Sequence, residues 1–203
     1  MFKYLLILSL LLVPNLVFAE SCKDCHTVII KMNEEVIVTA RNYLGVREKT
    51  NHNDNTEIDK WLKNCGLGKG YSYCAAYTVY MYKETFEKYK LKSPLPNTAG
   101  VARFAEYSIK HPFDFKVIST KKMKWNIDQP QTGDLISWGH GRSFTSFNYM
   151  GHQGITIKPL PKTKVQSIEG NTKASEGGDQ SGTKLGDFTG GQEGVYILSL
   201  IHI

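Results

Sequence analysis

Four residues spaced along the chain, a cysteine, a histidine, a glutamate and an asparagine, have side chains that could do chemistry together. Cys74 lies in Tyr71-Ser72-Tyr73-Cys74-Ala75-Ala76-Tyr77, His152 in Gly151-His152-Gln153-Gly154, and Glu169 and Asn171 in Ile168-Glu169-Gly170-Asn171-Thr172. Attack on an amide needs a thiolate, a base that later protonates the leaving amine, and a polar group that fixes the imidazole tautomer. Cys74 follows a Gly-rich turn, Cys65-Gly66-Leu67-Gly68-Lys69-Gly70, and opens a stretch that reads as a helix. A thiol at a helix N-terminus feels the positive end of the backbone dipole, which favours thiolate. The backbone N–H of Cys74 would then be an oxyanion donor, worth roughly 3 kcal/mol in comparable sites. Taken alone, a cysteine beside two alanines is more often a small core residue. Chain order argues otherwise, with the acid seventeen residues beyond the histidine.

The elements that must position these groups follow from periodicity. Val28, Ile29, Met32, Val36, Ile37, Ala40 and Leu44 recur at helical spacing over Thr27 to Leu44, and Gly45 is a natural stop. Asn55-Thr56 caps a short helix through Ile58, Trp61 and Leu62; the Cys74 helix runs to about Tyr89, before Pro94 and Pro96. A further helix is expected from about Thr98 to Ile109. Beyond Phe113 the pattern changes to short strands at Phe115–Ile118, Asp134–Trp138, Gly154–Ile157, Val165–Glu169 and Val195–Leu198. Helices first and strands afterwards predict an α+β fold with a mainly antiparallel sheet. Glu169 and Asn171, two apart on one strand, are expected to share a face. Residues 171–193, rich in Gly, Ser, Asp and Thr, read as a long surface loop.

Residues 1–19 read as a signal peptide: Lys3, an apolar run from Tyr4 to Leu12, and Val17-Phe18-Ala19 before the cut. The run is shorter than the ~20 residues a membrane span needs. The expected product is exported, periplasmic or secreted, with no stable membrane insertion after cleavage. Removing nineteen of 203 residues leaves 184, enough for one core, and removing Lys3 takes the formal charge from +6 to +5. That mild excess suits an acidic polymer, but the basic residues are scattered and no nucleic-acid-binding pattern is present. Residues 20–35 form an N-terminal segment with Cys22 and Cys25, and 36–203 the catalytic domain. Of the four cysteines, Cys74 must stay free, so Cys22, Cys25 and Cys65 leave one disulfide and one spare thiol, in an unassigned pairing.

Four motifs in order resemble one family. Tyr73-Cys74-Ala75-Ala76-Tyr77 is similar to the Trp-Cys-Ala-Ala-Phe signature of CHAP domains, the cysteine- and histidine-dependent amidohydrolases and peptidases related to NlpC-like and papain-like hydrolases. Pro130-Gln131-Thr132-Gly133-Asp134-Leu135-Ile136 resembles their Pro-x-x-Gly-Asp strand entry, Gly151-His152-Gln153-Gly154-Ile155 their Gly-His-Val-Gly-Ile, and Ile168-Glu169-Gly170-Asn171-Thr172 their Glu-Gly-Asn-Thr strand. Ala40-Arg41-Asn42-Tyr43-Leu44-Gly45 is similar to the end of their N-terminal helix, so the likeness spans roughly residues 36 to 200. It implies a papain-like fold, Cys74 as nucleophile, His152 as base and acid, Glu169 as orienting acid and Asn171 assisting. The implied substrate is peptidoglycan, cut as an N-acetylmuramoyl-L-alanine amidase or a peptide-crosslink endopeptidase would cut it. Tyr73 stands where the family has tryptophan, and Gly66 to Tyr73 lacks the aspartates that hold calcium in some phage members, so no cofactor is expected.

The tyrosines at 71, 73, 77, 80 and 82 offer aromatic faces to sugars. Residues 73, 77 and 80 also have the spacing of a core face; Tyr71 and Tyr73, beside the nucleophile, are the expected groove residues. An alternative reading rests on Cys22-Lys23-Asp24-Cys25-His26, the attachment pattern of c-type haem, with Met81 or Met150 as second axial ligand. A further alternative is a non-catalytic wall-binding module on the same fold. An inhibitor protein, the partner a toxic hydrolase would need, leaves no mark in the sequence.

Overall fold

The structure, a computed structural model, describes residues 22–124, 127–139, 151–161, 164–173, 181–189 and 195–200, with side chains described for 27–124, 127–139, 151–161 and 164–172. The expected signal peptide, Met150, and the side chains of Cys22, Cys25 and His26 lie outside them.

Four helices precede a six-stranded sheet. Helix α1 spans Cys22–Arg41, α2 Thr56–Asn64, α3 Cys74–Lys88 and α4 Val101–Lys110. The strands are β1 Phe115–Ser119, β2 Leu135–Gly139, β3 Gly151–Leu160, β4 Lys164–Lys173, β5 Ser181–Thr189 and β6 Val195–Leu200. They lie in the order β1-β6-β2-β3-β4-β5, and every neighbouring pair is antiparallel. The architecture is therefore α+β.

Helix α3 is the axis of the molecule. Eleven of its fifteen residues are buried, because it packs against α1 and α2 on one side and β3 and β4 on the other. Its neighbours fit that reading of the sequence. In α1, Ile29, Met32, Val36, Ile37 and Ala40 are buried at the expected spacing. In α2 the Asn55 side chain accepts from the Glu57 N–H, which ties down one orphan donor, and Ile58, Trp61 and Leu62 turn inward. Trp61 gathers Tyr43, Tyr73 and Tyr77 at ring-centroid distances of 5.6, 5.8 and 5.0 Å. Such aromatic pairs add about 1 kcal/mol each beyond their burial.

Two glycines let other elements close on this core. Gly170 in β4 lies so near α3 that a Cβ would stand 2.9 Å from Tyr77 Cβ. Gly133, at φ +86°, turns the chain into β2 with its bare Cα against Asn33 of α1; a Cβ there would fall 2.5 Å from Asn33 Cβ. The Pro130 to Asp134 turn is further held by the Gln131 N–H donating to the Asp134 carboxylate at 2.7 Å, and by Tyr82 donating to the Gly133 carbonyl.

Two expectations need revision. The segment 171–193, read as a loop, contains β5, which pairs with β4 from Lys164 opposite Thr189 to Lys173 opposite Ser181. An edge strand is held by backbone hydrogen bonds along one side, so it forms without the apolar alternation by which strands are recognised. The boundary at 35/36 falls inside α1, and Ile29, Met32 and Asn33 before it are buried with residues that follow it.

Candidate active site

Cys74 is the first residue of α3, and Tyr73 precedes it as the N-terminal cap position without a side-chain capping bond. The first N–H groups of the helix, that of Cys74 among them, have no partner within the helix. The sulfur is 3.8 Å from the carbonyl oxygen of Gly151, the first residue of β3. His152 follows directly and lies within hydrogen-bonding reach of the thiol. The thiol thus meets the histidine at the start of β3. Cys74 is only 3 % exposed, shielded by Ala75 and by Val101, Ala102 and Ala105 of α4.

The strand register delivers the acid. Gly154 lies opposite Glu169 across β3 and β4, and His152 stands two residues before Gly154 on the same face. That diagonal is too long for short side chains but within reach of a glutamate and an imidazole. Glu169 Oε2 sits 3.2 Å from His152 Nε2. The carboxylate reaches it by lying over Gly154, where a Cβ would be 2.8 Å from Glu169 Cγ. Ser167, two residues earlier on the same face, donates to Glu169 Oε1 at 2.5 Å. With Nε2 turned to Glu169, Nδ1 is the ring nitrogen left for Cys74. From across β2, Trp138 packs on the imidazole at 4.7 Å between centroids.

These contacts set the protonation of His152. Burial pushes its pKa down, but hydrogen bonds to Cys74 and Glu169 and the charge of both override this and raise it to about 9. The imidazole is held as imidazolium at neutral pH between a thiol and a carboxylate. Cys65 contrasts with this: it is a free thiol, not bridged, and burial raises its pKa to about 11.

The remaining expected residues divide. Asn171 lies in a bulge of β4, between Glu169 and Thr172, with φ +57°. The bulge breaks the alternation that was to give Asn171 the face of Glu169, and it is the backbone N–H of Asn171 that is engaged, donating to the Tyr73 hydroxyl. Tyr73 is a correction: it is fully buried against Trp61, its hydroxyl donates to the buried carboxylate of Glu48 at 3.3 Å, and it presents no face to a groove. Tyr71 is 56 % exposed and lines a groove of 420 Å³ between the turn before α3 and the start of α4. A larger cavity of 610 Å³ lies at the far end of α3, between Lys83 and Pro94 to Asn97, away from the thiol.

Sequence reasoning missed Gly154, Ser167 and Trp138, whose roles depend on strand register. The Gly after His152-Gln153 was the available signal. Met81, named as an axial ligand for haem, is fully buried in the core. Among the described residues no group of three or more His, Cys, Asp or Glu is placed to hold a metal ion, and no helix is long and apolar enough to cross a membrane. Compared with protein-family models, curated proteins and solved structures, the chain matches none.

Proposed function

We propose that the chain is an exported cysteine hydrolase of the CHAP type, with a papain-like fold, that cleaves amide bonds of peptidoglycan. One observation carries the reading: a single imidazole stands between the thiol that opens α3 and a buried carboxylate, His152 Nε2 to Glu169 Oε2 at 3.2 Å. A histidine used only for packing needs neither neighbour. The four sequence motifs, in order, support the choice of family and substrate.

The chemistry follows from the arrangement. The Cys74 thiolate adds to the scissile carbonyl carbon, and the carbonyl oxygen takes up negative charge near the unpartnered N–H of Cys74. As the C–N bond breaks, the His152 imidazolium gives its proton to the leaving amine, and a thioester remains on Cys74. Neutral His152 then takes a proton from water, whose hydroxide displaces the thiolate and releases the acid. Glu169 holds the ring in one orientation through both steps, and Ser167 holds Glu169.

Wild type and Cys74→Ala are incubated with purified sacculi of several crosslink chemistries, and the fragments are analysed by mass spectrometry. Wild type is expected to release muropeptides with new amine and carboxylate ends whose identity names the bond; Cys74→Ala releases none. Identical undigested profiles from both proteins on every sacculus would refute the hydrolase reading.

A further inference from the structure

The groove beside Tyr71 has a composition that the proposed chemistry does not use. It runs between the residues that lead into α3 and those that lead into α4, with Ser72 on one wall and Gly100 and Arg103 on the other. Ser72 is two residues from Cys74, and Val101 and Ala102, which lie between the groove residues Gly100 and Arg103, pack on Cys74 itself. The groove therefore lies beside the elements that hold the thiol. Among the described residues Arg103 is its only charged lining residue, and no carboxylate lines it. Among the described residues the guanidinium makes no hydrogen bond and no ion pair. Other cations behave differently: Lys69 pairs with Asp59, Lys83 with Glu87 and Lys110 with Glu106. The exposed Tyr71 and the side chain of Leu67 line the same groove.

A lone cation and an exposed aromatic ring lining one open groove fit a peptide that bears a carboxylate and has an apolar stem. The guanidinium matches a carboxylate with two parallel N–H donors, and the ring covers the chain between the carboxylate and the scissile bond. We propose that this groove is a specificity subsite in which Arg103 binds a free carboxylate of the substrate peptide and Tyr71 packs on its stem. The inference rests on the hydrolase reading and adds the ionic character of the substrate: peptides with free carboxylates are selected over amidated ones.

The test uses the full chain carrying Cys74→Ala, so that binding is read without cleavage. It is titrated calorimetrically with the tetrapeptide L-Ala-γ-D-Glu-L-Lys-D-Ala, once with both carboxylates free and once with both converted to amides. The free peptide is expected to bind about tenfold more tightly, and the preference should shrink as salt rises from 50 to 500 mM. Adding Arg103→Met should make the two peptides bind alike, whereas Arg103→Lys keeps part of the preference. Tyr71→Ala should weaken both peptides by a similar factor. Arg103 and Tyr71 are exposed, so these variants are expected to keep the wild-type circular dichroism and melting temperature. Equal binding of the two peptides, a preference that survives Arg103→Met, or no binding of either overturns the proposal. The two readings fail separately. A chain that holds the free peptide through Arg103, while its wild-type thiol cuts no sacculus, overturns the hydrolase and leaves the groove. A wild type that cuts the diamide as fast as the free peptide overturns the groove and leaves the hydrolase.

Discussion

Two thiols in this chain set exposure against electrostatics. Cys74 is 3 % exposed beside an imidazolium, while Cys65 is half-buried with a pKa of about 11. At pH 7 a thiol of pKa 11 is thiolate in roughly one molecule in 10⁴, and only thiolate alkylates. That factor outweighs a several-fold difference in access. Iodoacetamide at pH 7, followed by peptide mapping, is therefore expected to label Cys74 before Cys65, and the reverse order would place the reactive thiol elsewhere. The histidine gives a second test. Its pKa is raised, so the stability it confers is fully present below its ordinary value near 6.5 and is lost as pH climbs through about 9. Activity that needs imidazolium should share that basic limb. Glu169→Gln removes one of the two groups that hold the proton, so the limb should move down in pH and kcat fall roughly 10²-fold, within the range expected for general acid–base catalysis. A limb unmoved by Glu169→Gln would show that another group sets it. That Cys74, His152 and Glu169 come together was legible in the sequence, because a thiol, an imidazole and a carboxylate announce themselves by type and order. Tyr73 was not: a tyrosine beside a nucleophile reads the same whether its ring faces Trp61 or solvent.

At the scale of elements, what positions the acid is a missing side chain. Glu169 crosses β3 over Gly154 to reach His152, and a methyl there would stand 2.8 Å from Glu169 Cγ. Gly154 has an ordinary φ, so alanine strains no backbone at this residue; only the glutamate must move. Gly154→Ala is thus expected to reduce kcat by about tenfold or more, following the sensitivity of catalysis to displacements of order 1 Å, with little change in melting temperature. Equal losses of activity and stability would mean that the strand pair, not the carboxylate, had yielded. Gly133→Ala is the contrasting case. It combines φ +86° with a Cβ 2.5 Å from Asn33, so it should destabilise the fold by roughly 2 kcal/mol or more. Periodicity made α1 to α4 and five of six strands visible, because apolar residues recur in each of those segments at a spacing its element favours. It could not show Gly154 to be functional, since that depends on which residue of β4 lies opposite. Nor could it show β5, whose pairing is carried by backbone.

Across the whole molecule, the first and last described elements close the fold. Strand β6 lies between β1 and β2, so the last described strand is inserted into the sheet rather than appended to it. Helix α1, at the other end, buries Ile29, Met32 and Asn33 before residue 36, and Asn33 fills the space left by Gly133 at the entry to β2. The sequence separated 20–35 from the catalytic domain because family likeness begins near residue 36, whereas apolar spacing runs through α1 without a break. Burial decides between the two. Losing a buried isoleucine and a buried methionine removes about 2 kcal/mol or more each. That is a large part of the 5–15 kcal/mol by which domains are stable. A chain beginning at Val36 is therefore expected to lose its cooperative melt by circular dichroism, while one beginning at Glu20 keeps it. A sharp, wild-type melt for the shorter chain would make residues 20–35 an appendage and restore the boundary. A broadened melt with Cys74 reactivity lost ties the N-terminal helix to the site through α3, which packs on α1 and carries Cys74.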